Sequence, residues 1–160
     1  MSASVTRSVD VHAPAEAVWA IVSDLPGMGT LSPESTGGRW ADGSRWADGT
    51  AGPAVGAVFR GTNASGSRTW STRSTVVDSE PGRRFAFDVS SVGLPVARWS
   101  YDLVSTADGC QVTETWQDRR GRLVALGGRL LTGVQDRTAF TATSIEQTLA
   151  RLKDRAESAA

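Results

Sequence analysis

The chain has 160 residues, of which 39% are apolar and 21% charged, enough to bury a core in one domain and too apolar for wholesale disorder. Its 17 Lys and Arg residues balance its 17 Asp and Glu residues, so no electrostatic footprint for nucleic acid or an anionic lipid surface is present. No apolar run approaches the ~20 residues of a membrane span, the N-terminus shows no signal-peptide core, and the lone Cys110 has no internal disulfide partner. These features predict a cytoplasmic protein with neither nucleic acid nor membrane as a partner. Lys153 is the sole lysine, which we read as compositional bias rather than as arginine recognition of an anion.

In chain order, Ser4 to His12 alternates, with Val5, Arg7, Val9 and Val11 on one face, and predicts a strand with one buried side. Pro14 then opens a helix where its missing N–H costs nothing, and Glu16 suits the first turn. Val18, Ile21, Val22 and Leu25 form its apolar stripe and Pro26-Gly27 ends it. Met28 to Glu34 has room for no more than a turn or two. Ser35 to Ala41 predicts a short strand that runs into a tandem duplication, Arg39-Trp40-Ala41-Asp42-Gly43-Ser44 followed by Arg45-Trp46-Ala47-Asp48-Gly49-Thr50. Such a duplication reads as a lengthened surface loop, because extra loop length is cheap. The expectation is that Arg39 to Val55 exchanges its amides fastest, unless Trp46 contacts a ligand.

Five further strands follow: Ala57 to Thr62, Arg68 to Asp78, Arg83 to Ser90, Ala97 to Ser105 and Cys110 to Asp118. The breaks between them carry Gly, Pro, Asn and Asp, and such short links imply an antiparallel meander. Beyond Gly121 the period becomes helical to about Glu157, with Leu130, Val134, Thr138, Thr141, Ile145, Leu149 and Leu152 along one face. A straight helix over that span would be about 54 Å long, against a diameter near 40 Å for a compact domain of this size, by order-of-magnitude scaling. A bend or interruption is therefore expected between Gly127 and Gly133. The whole predicts one α+β domain over residues 1–160 in which seven antiparallel strands and two short helices accompany a long C-terminal helix.

Val11-His12-Ala13-Pro14-Ala15-Glu16-Ala17-Val18-Trp19 resembles the strand-to-helix entry of the START-like (SRPBCC) superfamily. Met28-Gly29-Thr30-Leu31-Ser32-Pro33-Glu34 resembles the turn of its polyketide cyclase/dehydrase-like bacterial branch, with Leu31 where tryptophan is usual. Gly52-Pro53-Ala54-Val55-Gly56 and Glu80-Pro81-Gly82-Arg83-Arg84-Phe85 fit the same branch. The resemblance implies a helix-grip fold, in which a curved sheet wraps the long helix and leaves an apolar cavity between them. It does not carry a reaction with it.

Familiar catalytic and metal chemistry lacks the residues it needs. One histidine and one cysteine cannot make an ordinary zinc site, and His12 falls on the polar face of its strand. No nucleophile elbow or Cys-His pair is present, and no cofactor is expected. Alternation places Phe59, Trp70, Phe85, Phe87, Trp99, Tyr101 and Trp116 on the inner face of the sheet. They read either as core or as a ligand wall. Leu130, Val134, Thr138 and Thr141 complete the candidate contacts from the helix, the threonines standing where a packed core calls for leucine. Arg7 and Glu114 are charges on apolar faces of strands that the fold makes neighbours. They are a structural ion pair, or Glu114 points outward through a register slip, or with Tyr101 they are candidate catalytic groups, Glu114 serving as a base. The expected partner is a mid-sized apolar or aromatic molecule, lipid- or polyketide-like, bound by a monomer or weak homodimer. A cyclase or dehydratase and a scaffold with a self-filled cavity are the alternatives.

Overall fold

A computed structural model describes residues 2–41 and 53–159. The second copy of the duplicated hexapeptide, with Trp46 and most of the segment expected to exchange fastest, lies outside the described residues.

Strand β1, Ser4–Val11, is followed by helix α1, Ala15–Val22, and a 3-10 helix, Leu25–Thr30. Pro14 caps α1 in extended geometry and its carbonyl accepts from Val18 N at 3.2 Å. The helix ends three residues before Leu25, and Pro26-Gly27, expected to terminate it, instead lies in the first turn of the 3-10 segment, where a proline needs no N–H partner. The other strands are β2, Ser35–Trp40, β3, Val58–Ser65, β4, Arg68–Glu80, β5, Arg84–Ser91, β6, Leu94–Thr106, and β7, Gly109–Asp118. They form one antiparallel sheet in the order β1-β7-β6-β5-β4-β3-β2.

The meander hydrogen-bonds consecutive strands from β2 to β7, and the N-terminal strand closes against the last one. Two tight turns fix the hairpin registers. Gly66, at φ 60°, opens the two-residue link between β3 and β4. The link between β5 and β6 is Val92-Gly93, with both residues at positive φ, the geometry whose twist matches paired strands. The break expected at Gly93-Leu94-Pro95 thus falls one residue earlier, and Pro95 enters β6 beside an irregularity in the ladder.

The C-terminal helical region is divided as its length requires. Helix α2, Arg122–Thr132, ends at Gly133, which takes a left-handed conformation at φ 75°. Helix α3, Arg137–Ser158, begins afresh at Asp136, whose side chain accepts from Ala139 N at 3.0 Å. The interruption uses only the last of the glycines in the expected window; Gly127 and Gly128 stay helical inside α2.

Ile145, Leu149 and Leu152 of α3 are at most 3% exposed and face the concave side of the sheet, packing most closely on β1. The convex side is polar. There Arg84 bridges Asp78 and Asp102, and Asp88 takes both Arg98 and Arg119. These pairs are about a third exposed or more, so they contribute solubility and strand register more than stability.

Candidate functional site

Pairing in the sheet stacks the inward residues into rows. Val76, Phe87, Trp99, Trp116 and Val5 lie side by side across five strands. Two residues further along, or roughly 7 Å at the usual strand rise, the next row runs Phe85, Tyr101, Glu114, Arg7. Trp70, Thr72 and Ser74 continue the concave face on β4. Between this face and α3 is a cavity of about 510 Å3, within the range of sites that enclose small molecules.

Its walls divide by chemistry. The sheet supplies Trp70, Phe87, Val89, Trp99 and Trp116. Beyond Arg137 at its start, helix α3 supplies hydroxyls, from Thr141, Ser144 and Thr148, spaced along one face where leucines would have closed the space. Leu25 and Met28 of the 3-10 helix close one side. The mouth is rimmed by Val92 and Leu94 of the β5–β6 hairpin and by Leu123 and Leu131 of α2. All four are exposed, Val92 at 96% and Leu123 at 86%, so apolar surface continues from the interior to solvent.

Tyr101 and Glu114 stand deep in the wall, each 2% exposed. The tyrosine hydroxyl donates to Glu114 Oε1 at 2.8 Å. Glu114 Oε2 is buried with no hydrogen-bond partner among the described residues. Burial pushes the Glu114 carboxyl up to about 8, against the opposing pull of the Tyr101 hydrogen bond. Burial, then the neighbouring carboxyl, push the Tyr101 hydroxyl well above its ordinary value. At neutral pH the pair is therefore an uncharged acid and an uncharged phenol.

Two ion pairs line another part of the cavity, where β7 passes into the helices. Arg120 grips Asp118 with two hydrogen bonds, at 2.7 and 2.9 Å. Arg137 reaches Glu34 at 2.8 Å, donates to Thr132 Oγ1 at 3.1 Å, and lies 5.2 Å from the Phe140 ring centre. Burial pushes the Asp118 carboxyl upward, but Arg120 outweighs it and holds the group below the usual range. Asp118 is four residues from Glu114 on the same strand, about 13 Å at the usual rise. The cavity thus has a neutral polar end and a charged, internally compensated one.

Of the side chains expected from the sequence, Trp70, Phe87, Trp99, Tyr101, Trp116, Glu114 and Thr141 line the cavity. Five do not. Phe85 is fully buried beneath Trp19, whose ring meets it edge-on at 6.2 Å. Phe59 packs against Trp40 at 5.5 Å. Leu130 is 75% exposed, Val134 sits in the break between α2 and α3, and Thr138 faces solvent in the first turn of α3. Arg7 also leaves the candidate set. Its guanidinium pairs with Glu146 of α3 at 3.2 Å on the surface, so no buried Arg7–Glu114 pair forms. The cavity also takes Ser144 and Thr148, which flank the buried stripe of α3 and whose small polar side chains carry no apolar signal, and Leu123, Val124 and Leu131 of α2, whose face is not continuous with that of α3 across Gly133.

A curved antiparallel sheet gripping a C-terminal helix over an apolar cavity defines a helix-grip protein. The family model described as "Polyketide cyclase / dehydrase and lipid transport" matches residues 2–157, and the chain belongs to this family. No curated protein sequence matches it. Among solved structures, a polyketide-cyclase-like protein from Corynebacterium glutamicum is 31% identical, with 95% of this chain and 81% of that one covered and a TM-score of 0.50. A Deinococcus radiodurans protein is 18% identical with a TM-score of 0.68, over 99% of this chain and 100% of its own. StfQ, a di-domain ARO/CYC protein of the steffimycin biosynthetic pathway, has a TM-score of 0.73 at 11% identity, over 99% of this chain and 51% of its own length. The last two likenesses concern the fold.

Proposed function

We propose that the protein binds a mid-sized apolar or aromatic small molecule, of lipid or polyketide type, in the cavity between sheet and α3, within the cytoplasm. The observation that carries this reading is the aromatic row Phe87, Trp99, Trp116 facing a hydroxyl-lined helix across 510 Å3 of space. A self-filled scaffold would place large apolar side chains at Thr141, Ser144 and Thr148. Native mass spectrometry of freshly purified protein, together with titration by the neutral apolar dye N-phenyl-1-naphthylamine, tests it. Dye binding that quenches the cavity tryptophans is the expected result; a dye that finds no site removes the reading.

A second reading is supported by the Tyr101–Glu114 pair and by the ARO/CYC names among the structural neighbours. In a dehydratase or cyclase using the same cavity, a protonated Glu114 acts first as an acid rather than as the base expected from sequence. It protonates a departing hydroxyl, and the resulting carboxylate then takes the C–H proton as the double bond forms, so that water is the net loss. Tyr101 holds the carboxyl in place. Turnover lost in Glu114→Gln with binding retained selects the enzyme; unchanged turnover dismisses Glu114 from it.

A further inference from the structure

Glu114 is a buried acid with half of its hydrogen-bonding capacity unused. Oε1 is occupied by the Tyr101 hydroxyl and Oε2 has no partner among the described residues. Among the described residues no cation is placed to meet it. Arg7, its cross-strand neighbour, is engaged by Glu146, the cavity-lining Arg120 and Arg137 are engaged by Asp118 and Glu34, and the other α3 side chains lining the cavity are the uncharged Thr141, Ser144 and Thr148. The Thr148 hydroxyl is itself committed to the Ser144 carbonyl at 2.8 Å. A buried carboxyl without a cation keeps its proton. Because Oε1 already accepts from Tyr101, that proton belongs on Oε2, which makes it a hydrogen-bond donor with no acceptor. An orphaned donor is costly to fold around unless something later supplies its partner. Glu114 lines the cavity, and the terminal torsion of a carboxyl is soft, so a bound molecule can supply it.

Resting on the reading that this cavity holds an apolar ligand, we propose that the ligand is an aryl ketone or a similar neutral carbonyl compound. Its oxygen accepts from Glu114 at the inner end, while its ring system lies along Phe87, Trp99 and Trp116. The aromatic row starts roughly 7 Å from the Glu114 row at the usual strand rise, a span that a hydrogen bond from Glu114, the ketone group and the attached rings together can cover. A ligand with a carboxylate at that end is disfavoured, because its charge is taken out of water there with no cation beside it.

Three probes on one skeleton separate these statements: 2-ethylnaphthalene, 2-acetylnaphthalene and 2-naphthoate, each displacing N-phenyl-1-naphthylamine at pH 7. The ketone is expected to bind about tenfold more tightly than the hydrocarbon, equivalent to about 1.4 kcal/mol, and the carboxylate most weakly. Glu114→Gln keeps a donor and should keep the ketone preference; Glu114→Leu should abolish it while the hydrocarbon still binds. Equal affinity for ketone and hydrocarbon in the native protein overturns the inference, as does a preference that survives Glu114→Leu. If the leucine variant does not fold, the native and glutamine proteins decide by the same comparison. A hydrocarbon that displaces the dye without ketone preference leaves the cavity reading standing and removes only this inference. A dye that never binds removes both.

Discussion

Arg7 and Glu114 are direct cross-strand partners on β1 and β7, yet their charges do not meet: the guanidinium crosses the sheet edge to Glu146 of α3. The carboxyl is left to Tyr101 on its other side. This division puts the exposed charge where water and a surface partner solvate it, and lets the buried group avoid charge by holding a proton. This end of the cavity is uncharged as a result, which suits an apolar occupant better than a buried ion pair would.

The uncharged state of Glu114 has a consequence for stability. Its carboxyl titrates at about 8 in the folded chain against 4.5 as the ordinary value. Between those pH values the unfolded chain has released a proton that the folded chain still holds. The contribution is therefore fully present below about pH 4.5 and is lost as pH rises through about 8. Glu114→Gln, which cannot ionise, should unfold at nearly the native temperature at pH 5 and several degrees above it at pH 8.5. Comparing the two proteins cancels the opposite acid sensitivity of Asp88 and Asp118, whose carboxyls are held low by arginines. Parallel melting curves across that range would show that Glu114 ionises normally.

Val92 sits at φ 52° in the β5–β6 turn and is 96% exposed at the cavity mouth. A β-branched side chain is strained there, whereas asparagine before Gly93 suits the turn. Val92→Asn should raise stability by about 1 kcal/mol, read by thermal unfolding. The same change removes apolar surface from the mouth and should slow uptake of an apolar dye in stopped-flow mixing. Lower stability would mean that Val92 makes contacts that outweigh its backbone cost.

The strands were readable because alternation survives at nearly every inward position: 85, 87 and 89 on β5, then 97, 99, 101 and 103 on β6, share a face as the period of two requires. Strand alternation does not say which aromatics are covered by other elements. Phe85 and Phe59 point inward as read, but Trp19 and Trp40 close over them. Helical phase was the larger loss. A stripe from Leu130 through Thr138 assumes an unbroken axis, while the left-handed Gly133 and the cap at Asp136 restart the helix and turn Thr138 outward. The signal was present in Asp136, a preferred N-cap residue three positions before Ala139, and in Thr141, Ser144 and Thr148 repeating at helical spacing.

That restart depends on one side chain. Asp136 satisfies the Ala139 amide at the first turn of α3, and replacing it with alanine should cost about 1 kcal/mol. Hydrogen exchange localises the effect: amides in the first turn of α3 should lose protection before those around Leu149. Uniform loss along α3 would mean that the cap sets the stability of the whole helix rather than of its start.

Thr141 and Thr138 are one helical turn apart and separate the cavity from the surface. Thr141 is 2% exposed and lines the cavity; Thr138 is exposed and does not. Leucine at 141 fills empty apolar space and should stabilise the fold by an amount on the order of 1 kcal/mol. It should also weaken N-phenyl-1-naphthylamine binding, since the added methyl groups occupy the volume the dye needs. Leucine at 138 should leave both quantities within about 0.5 kcal/mol of the native values. The opposed signs are what distinguish a ligand cavity from a packed core, because overpacking a filled site would instead destabilise by ~1–3 kcal/mol. Thermal unfolding with and without the dye, with Trp99 and Trp116 quenching as the binding signal, measures both. Stability rising while binding falls, at 141 and not at 138, places the ligand against this face of α3; a loss of stability at 141 means that the space beside it is already filled.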